Sequence, residues 1–199
     1  VANKTFNWIA NDQTVIPLLA VDLGGGTSYA LATRQVDSAG SAVGGGSGKN
    51  FEIAPAVTAG AYAAGNSVGI PTQLASVNSA TGRPVKLSSL LVRWKANSGV
   101  TPPVTWLFFN ANPTNSTFTD KSAATLHVND LTKLVGAVKV VAGDYLYPIS
   151  GGPTYAVLGG IEQLMLPATT DLYVVGVADG AFTPLATTDL SLHLGFEQK

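Results

Sequence analysis

The clearest pattern along the chain lies near its carboxyl end, where Leu190, Leu192, Leu194 and Phe196 alternate with Ser191, His193, Gly195 and Glu197. Successive side chains of a strand point to opposite faces, so period two predicts a strand with one buried face. Between Val85 and Lys95 the alternation changes phase: Val85 and Leu87 are odd-numbered, whereas Leu90, Val92 and Trp94 are even-numbered. One extra residue at Ser88-Ser89 returns both runs to a common face, so a β-bulge is expected there. Leu172-Tyr173-Val174-Val175-Gly176-Val177 and Thr105-Trp106-Leu107-Phe108-Phe109 are apolar on both parities, the pattern of central strands covered on both faces.

Residues Thr5 to Arg34 mix short apolar runs with turn residues, as in Thr14-Val15-Ile16-Pro17-Leu18-Leu19-Ala20-Val21 before Gly24-Gly25-Gly26, which predicts a few extended segments. Ser38 to Gly48 has the Gly/Ser composition of a linker. The expected division is an amino-terminal arm or small β unit over 1–48 and a main domain over 49–199. Helix is scarce. Thr119 to Leu126 has room for a turn or two, and Asn129-Asp130 suits a cap for Leu131 to Val135, with Gly136 in the stop position. Many short strands separated by Gly, Pro and Asn turns predict an all-β fold. Its main domain is a β-sandwich or jelly roll with one or two short helical turns, preceded by an extended or β arm.

Composition narrows the function classes. Of 199 residues, 46% are apolar and only 12% charged, about half the usual charged share of roughly 25%. A surface so poor in ions fits a polar β protein, and it fits a protein that covers much of itself with neighbours. A net charge of −1 without a long basic run removes the counterion-release term behind nucleic-acid affinity, so no nucleic-acid partner is expected. No stretch approaches the roughly 20 apolar residues of a membrane span, and no membrane partner is expected. Zero cysteines exclude disulfides, thiolate metal sites and cysteine nucleophiles.

Several motifs suggest chemistry and have plainer explanations. Asp22-Leu23-Gly24-Gly25-Gly26-Thr27 matches a phosphate loop of sugar-kinase and actin-like ATPases, but that fold needs a far longer chain with helices between strands; a glycine-rich turn accounts for the segment. Gly44-Gly45-Gly46-Ser47-Gly48-Lys49 lacks the first glycine and the final Ser or Thr of a Walker loop, with Val43 and Asn50 in those places. Ser-His-Asp catalysis requires a histidine, and only His127 and His193 exist, neither beside a nucleophile elbow. His193 is out of phase with Leu192 and Leu194 and belongs to the other strand face. Asp12, Asp120, Asp130 and Asp179 adjoin turn or cap residues, which explains them without glycosidase chemistry. Asn115-Ser116-Thr117 fits a glycosylation pattern but also a simple loop after Asn112-Pro113. No catalytic residue, metal ligand or cofactor is expected, and the chain reads as a non-enzyme.

Aromatic residues divide by position. Trp94 and Trp106 lie in predicted strands and are expected in the core. Phe6, Trp8 and Ile9 belong to the arm, where no large core exists, so they are expected to bury themselves against a neighbouring subunit or the main domain. A carbohydrate- or receptor-binding module would instead require exposed rings among Trp8, Tyr62, Tyr145, Tyr147 and Tyr155. A small hydrolase would require a cleft holding His127 or His193 beside an acid and a hydroxyl.

Three segments carry a resemblance. They are Gly60-Ala61-Tyr62-Ala63-Ala64-Gly65-Asn66-Ser67-Val68-Gly69, the run from Leu107 through Asn112-Pro113-Thr114-Asn115-Ser116-Thr117-Phe118-Thr119-Asp120, and Asp130-Leu131-Thr132-Lys133-Leu134-Val135-Gly136. With Leu172 to Gly180 and Asp189 to Gln198, they resemble a family of small virion-associated proteins of tailed bacteriophages, over roughly 57–198. The resemblance implies a decoration or cement protein held in many copies on the outer capsid surface, or less often a head-fibre or tail component. It implies the major capsid protein as partner and a homo-oligomer, a trimer where the protein sits on a local symmetry axis. It brings no catalytic residues.

Overall fold

The computed structural model describes the strands of the first 47 residues through their backbone, together with residues 48–95, 101–146 and 153–198. The chain divides into two compact units, Val1–Gly45 and Gly46–Lys199. In the first, β1 (Lys4–Ile9), β2 (Val15–Asp22) and β3 (Tyr29–Ala32) form an antiparallel sheet in the order β1-β2-β3. These strands fall where the apolar runs predict extended segments.

The second unit is a β-sandwich. Its five-stranded sheet has the order β4-β12-β6-β10-β9, built from β4 (Gly48–Ile53), β6 (Val85–Trp94), β9 (Tyr145–Leu146), β10 (Thr154–Met165) and β12 (Leu190–Gln198). Its four-stranded sheet has the order β5-β11-β7-β8, from β5 (Ser67–Leu74), β7 (Val104–Phe109), β8 (Leu134–Val140) and β11 (Leu172–Ala178). Among the described residues, the strand pairs of both sheets are antiparallel.

Each sheet turns one face inward. From the first come Val85, Leu87, Leu90, Val92 and Trp94 of β6 and Leu190, Leu192, Leu194 and Phe196 of β12; from the second come Val104, Trp106 and Phe108 of β7 and Leu172, Val174 and Ala178 of β11. Full burial of such side chains is worth roughly 1.5–3 kcal/mol each, so the two central pairs of strands carry most of the stabilisation. The bulge falls where the parity changes: Gly195 pairs with Ser89 and Phe196 with Leu87, which leaves Ser88 as the extra residue. The Ser88 hydroxyl donates to the Gly195 carbonyl across it at 3.0 Å.

The outer face of β7 and β11 is also covered, as their two-sided apolarity predicts. Phe109, Phe118 and Val175 form a second buried cluster, joined by Leu107, Leu126, Leu134, Tyr173 and Val177. The lid over it is the connection 110–133 between β7 and β8. Two carboxylates fasten that connection. Asp120 accepts from the Thr58 amide at 2.7 Å, the Gly69 amide at 2.7 Å and the Tyr62 hydroxyl at 2.7 Å. Asp130, fully buried, accepts from the Asn115 amide, the Ser116 hydroxyl and Lys133 Nζ at 2.8, 2.7 and 2.7 Å.

Helix sits elsewhere than the sequence predicts. Thr119 to Leu126 forms no helix: its backbone bridges Ser67 to Asp120, Asn66 to Ala123 and Thr117 to Thr125, and Lys121 adopts φ of 62°. Hydrogen bonds to 65–67 and 117 replace those a helical turn would make. Among the described residues the one α-helical turn, α1, is Val128–Leu131, capped by His127, whose Nδ1 accepts from the Asn129 amide at 3.1 Å. Leu134 onward is strand because Val135, Val138 and Val140 pack into the core instead of continuing a helix. A 3-10 turn at Ala142–Asp144 precedes β9.

Candidate functional site

The outward face of the five-stranded sheet is crossed by rows of side chains set by strand register. Glu52, His193, Leu91 and Val157 form one row over β4, β12, β6 and β10; Asn50, Gly195, Ser89 and Gly159 form the next. Where the second row loses two side chains to glycine, the face sinks into an open groove of about 410 Å³ lined by Asn50, Glu52, Ser89, Leu91, Val157 and His193, among others. The bulge shapes its floor. A Cβ built on Gly195 would run into Ser89 Oγ and lie 3.4 Å from Ser88 Oγ and 3.5 Å from Asn50 Oδ1. Three side-chain oxygens therefore gather over one glycine.

Charge on this face is paired locally. Glu52 Oε1 lies 3.5 Å from His193 Nε2 and 3.9 Å from Arg93 Nη2, and Arg93 Nε donates to Ser191 Oγ at 3.2 Å. Farther along, Lys86 Nζ lies 2.8 Å from Glu197 and 3.2 Å from Glu162, whose carboxylates raise its pKa. The groove has both hydrogen-bond donors and acceptors beside an aliphatic wall, with no unpaired excess of either charge.

The groove holds His193, an acid and a hydroxyl, as the hydrolase alternative requires, but they do not form a catalytic chain. His193 Nε2 is buried without a hydrogen-bond partner, and its separation from Glu52 is too long for the tight bond that orients a catalytic imidazole. His127 is spent on capping α1. Among the described residues, no group of three or more His, Cys, Asp or Glu side chains is placed to hold a metal ion, and no helix is long and apolar enough to cross a membrane. After Gly48 the chain continues as strand β4, not as the helix of a phosphate loop.

Of the rings on which a sugar could stack, Tyr62 and Tyr145 are buried. The Tyr62 ring stacks on Phe182 at 4.8 Å, and burial, with the Asp120 carboxylate beside it, pushes its hydroxyl pKa well up. Trp94 and Trp106 are core residues, as expected, and Trp94 meets Phe182 edge-on at 5.4 Å. Tyr155 is half-buried on the outer sheet face. Tyr147 lies outside the described residues. Phe6, Trp8 and Ile9 fall in β1, and their side chains lie outside the described residues.

The groove itself was missed by sequence reasoning, because its residues come from four strands distant along the chain. The readable part of the signal was the Ser88-Ser89 phase change and the glycine opposite it.

The class this fold defines is an antiparallel β-sandwich with a grooved outer sheet. No protein-family model matches the chain, and no curated protein matches it. Among solved structures it has a weak similarity to VP2 in the subviral particle of infectious bursal disease virus, a viral capsid protein, with 12% identity and a TM-score of 0.24. That alignment covers 92% of this chain and 50% of the VP2 chain, so this chain spans half the length of the protein it matches.

Proposed function

We propose that this protein is a structural virion component that decorates the outer surface of a tailed-phage capsid in many copies and stabilises the shell by adhesion, without turnover. The observation that carries the reading is the surface: a chain with only 12% charged residues exposes Ile70, Val128, Leu131, Leu146, Leu164 and Leu185, each at least half accessible. Apolar side chains left uncovered on so ion-poor a protein are suited to burial against neighbours. The resemblance of 57–198 to phage virion-associated proteins points the same way. In this reading the partners are the major capsid protein and further copies of this chain, and the arm reaches a neighbour through Phe6, Trp8 and Ile9.

The test is the copy number of this chain relative to the major shell protein in purified particles, measured by quantitative mass spectrometry. A stoichiometry comparable with the shell subunit's is expected. A handful of copies per particle would reassign the protein to a fibre or tail part, and absence from particles would end the virion reading.

A further inference from the structure

We infer that the groove over Gly195 is a binding site for a neutral saccharide, a function separate from adhesion to a shell. The lining argues for this class of ligand by elimination and by match. Asn50 offers a carboxamide that both donates and accepts, Ser89 a hydroxyl that does the same, and Glu52 a carboxylate that accepts. Sugar hydroxyls also donate and accept, and adjacent hydroxyls suit a carboxylate and a carboxamide projecting from one strand two residues apart. Leu91 and Val157 give the aliphatic wall against which the C–H face of a pyranose ring can lie. The volume of about 410 Å³ is within the roughly 300–1,000 Å³ of small-molecule sites.

Other ligand classes fit less well. A phosphate or carboxylate ligand would meet Glu52, while the Arg93 guanidinium already faces that same carboxylate. A cationic ligand would find the Glu52 carboxylate already faced by the Arg93 guanidinium. An extended peptide binds sheets by adding to an edge, yet this groove lies on a sheet face, where β12 and β6 each have a partner strand on both sides. With Tyr62 and Tyr145 buried, recognition here is by hydrogen bonds and aliphatic contact, not by ring stacking on those residues.

The test is saturation-transfer difference NMR on the full chain with glucose, galactose, mannose, N-acetylglucosamine and their disaccharides as probes. Inorganic phosphate and tetraalanine are titrated in parallel while the amide signals of Asn50, Ser89 and His193 are followed. Transfer to at least one sugar is expected, with shifts confined to those signals. Asn50→Leu and Glu52→Leu should each weaken binding about tenfold, the size of a lost hydrogen bond, while Glu52→Gln retains most of it. Both positions are solvent-exposed on an edge strand, so thermal melts should stay unchanged; Ser89→Ala serves if either fails to fold. The proposal is overturned if no sugar shows transfer at millimolar concentration, if binding survives both leucine variants, or if phosphate or tetraalanine alone moves the groove signals. None of these results depends on the copy number in particles, so the two readings fail separately.

Discussion

Ser89 Oγ occupies the space that a Cβ on Gly195 would need, so the side chain of one strand and the missing side chain of its neighbour are fitted to each other across the β6–β12 ladder. Substituting Gly195 by Ala forces the Ser89 hydroxyl out of this position and should destabilise the fold by about 1 kcal/mol, the low end of the usual range for overpacking. Ser89→Ala alone, at an exposed position, should change stability by no more than about 0.5 kcal/mol. Combined, the second substitution should recover much of the loss. Urea unfolding of the two single variants and the double variant checks this, and additive effects would contradict it.

Two glycines of the four-stranded sheet, Gly176 in the inner strand β11 and Gly136 in β8, provide a second contrast. A Cβ on Gly176 would lie 2.9 Å from Trp106 Cζ3, 3.0 Å from Val104 Cγ1 and 3.0 Å from Val68 Cβ, all stiff or buried groups. On Gly136 it would meet Met165 Cε at 2.8 Å and the Gln163 carboxamide at 3.0 Å, the far ends of flexible side chains. Gly176→Ala should therefore cost roughly 1–3 kcal/mol. Gly136→Ala should be close to neutral, since relief of glycine's unfolded-state entropy offsets a small rearrangement by roughly 0.4–1 kcal/mol. Equal midpoints for the two variants in chemical denaturation would refute the distinction.

These positions also show where the sequence is readable. Alternation identifies β12, and the change of parity locates the bulge at Ser88, because burial on one sheet face imposes period two on every residue it touches. Two-sided apolarity identifies β7 and β11, though it does not reveal that residues 110–133 supply the outer cover. The helix expectation fails for a related reason. Asp130 looks like a capping residue, but tertiary contacts turn its carboxylate inward toward Asn115, Ser116 and Lys133 and leave capping to His127. The apolar run beginning at Leu134 is taken by sheet pairing with Phe109 and Phe108. β10, interrupted by Gly159-Gly160, has no counterpart in the sequence reading; Gly160 has φ of 68°, and the register shifts between Gly159 and Gln163.

Asp130 makes the stability of the lid depend on pH. Burial pushes its carboxyl pKa upward, but hydrogen bonds from Lys133, Ser116 and Asn115 outweigh burial and hold it well below the ordinary carboxylate range. A folded-state pKa below the unfolded one means that the unfolded chain binds the proton more readily. The stabilisation is then fully present above the ordinary value of 3.8 and is lost as pH falls toward the depressed one. Asp130→Asn should lower the melting temperature at neutral pH, and the gap to the parent protein should narrow below about pH 4. A gap that stays constant from neutral pH into that acid range would show that the carboxylate's charge is not what fastens residues 114–116.

The adhesion reading makes a claim about α1. Its Val128 and Leu131 side chains are 67% and 50% accessible, and both stand on the lid that covers β7 and β11. Replacing each by Ser should leave the melting curve nearly unchanged, since exposed positions away from special features shift stability by about 0.5 kcal/mol or less. If this turn faces the shell, burying each side chain there is worth roughly 1.5–3 kcal/mol, so each replacement should weaken association about tenfold or more. Co-sedimentation with particles stripped of the protein measures the effect. A parallel Phe6→Ser and Trp8→Ser pair tests the arm in the same assay. Loss with the α1 variants and none with the arm variants would place shell contact on the lid of the sandwich and leave the arm to contacts between copies. The reverse would make the arm the anchor, with Val128 and Leu131 exposed for another neighbour. Undiminished association in all four variants would remove both surfaces from the capsid contact.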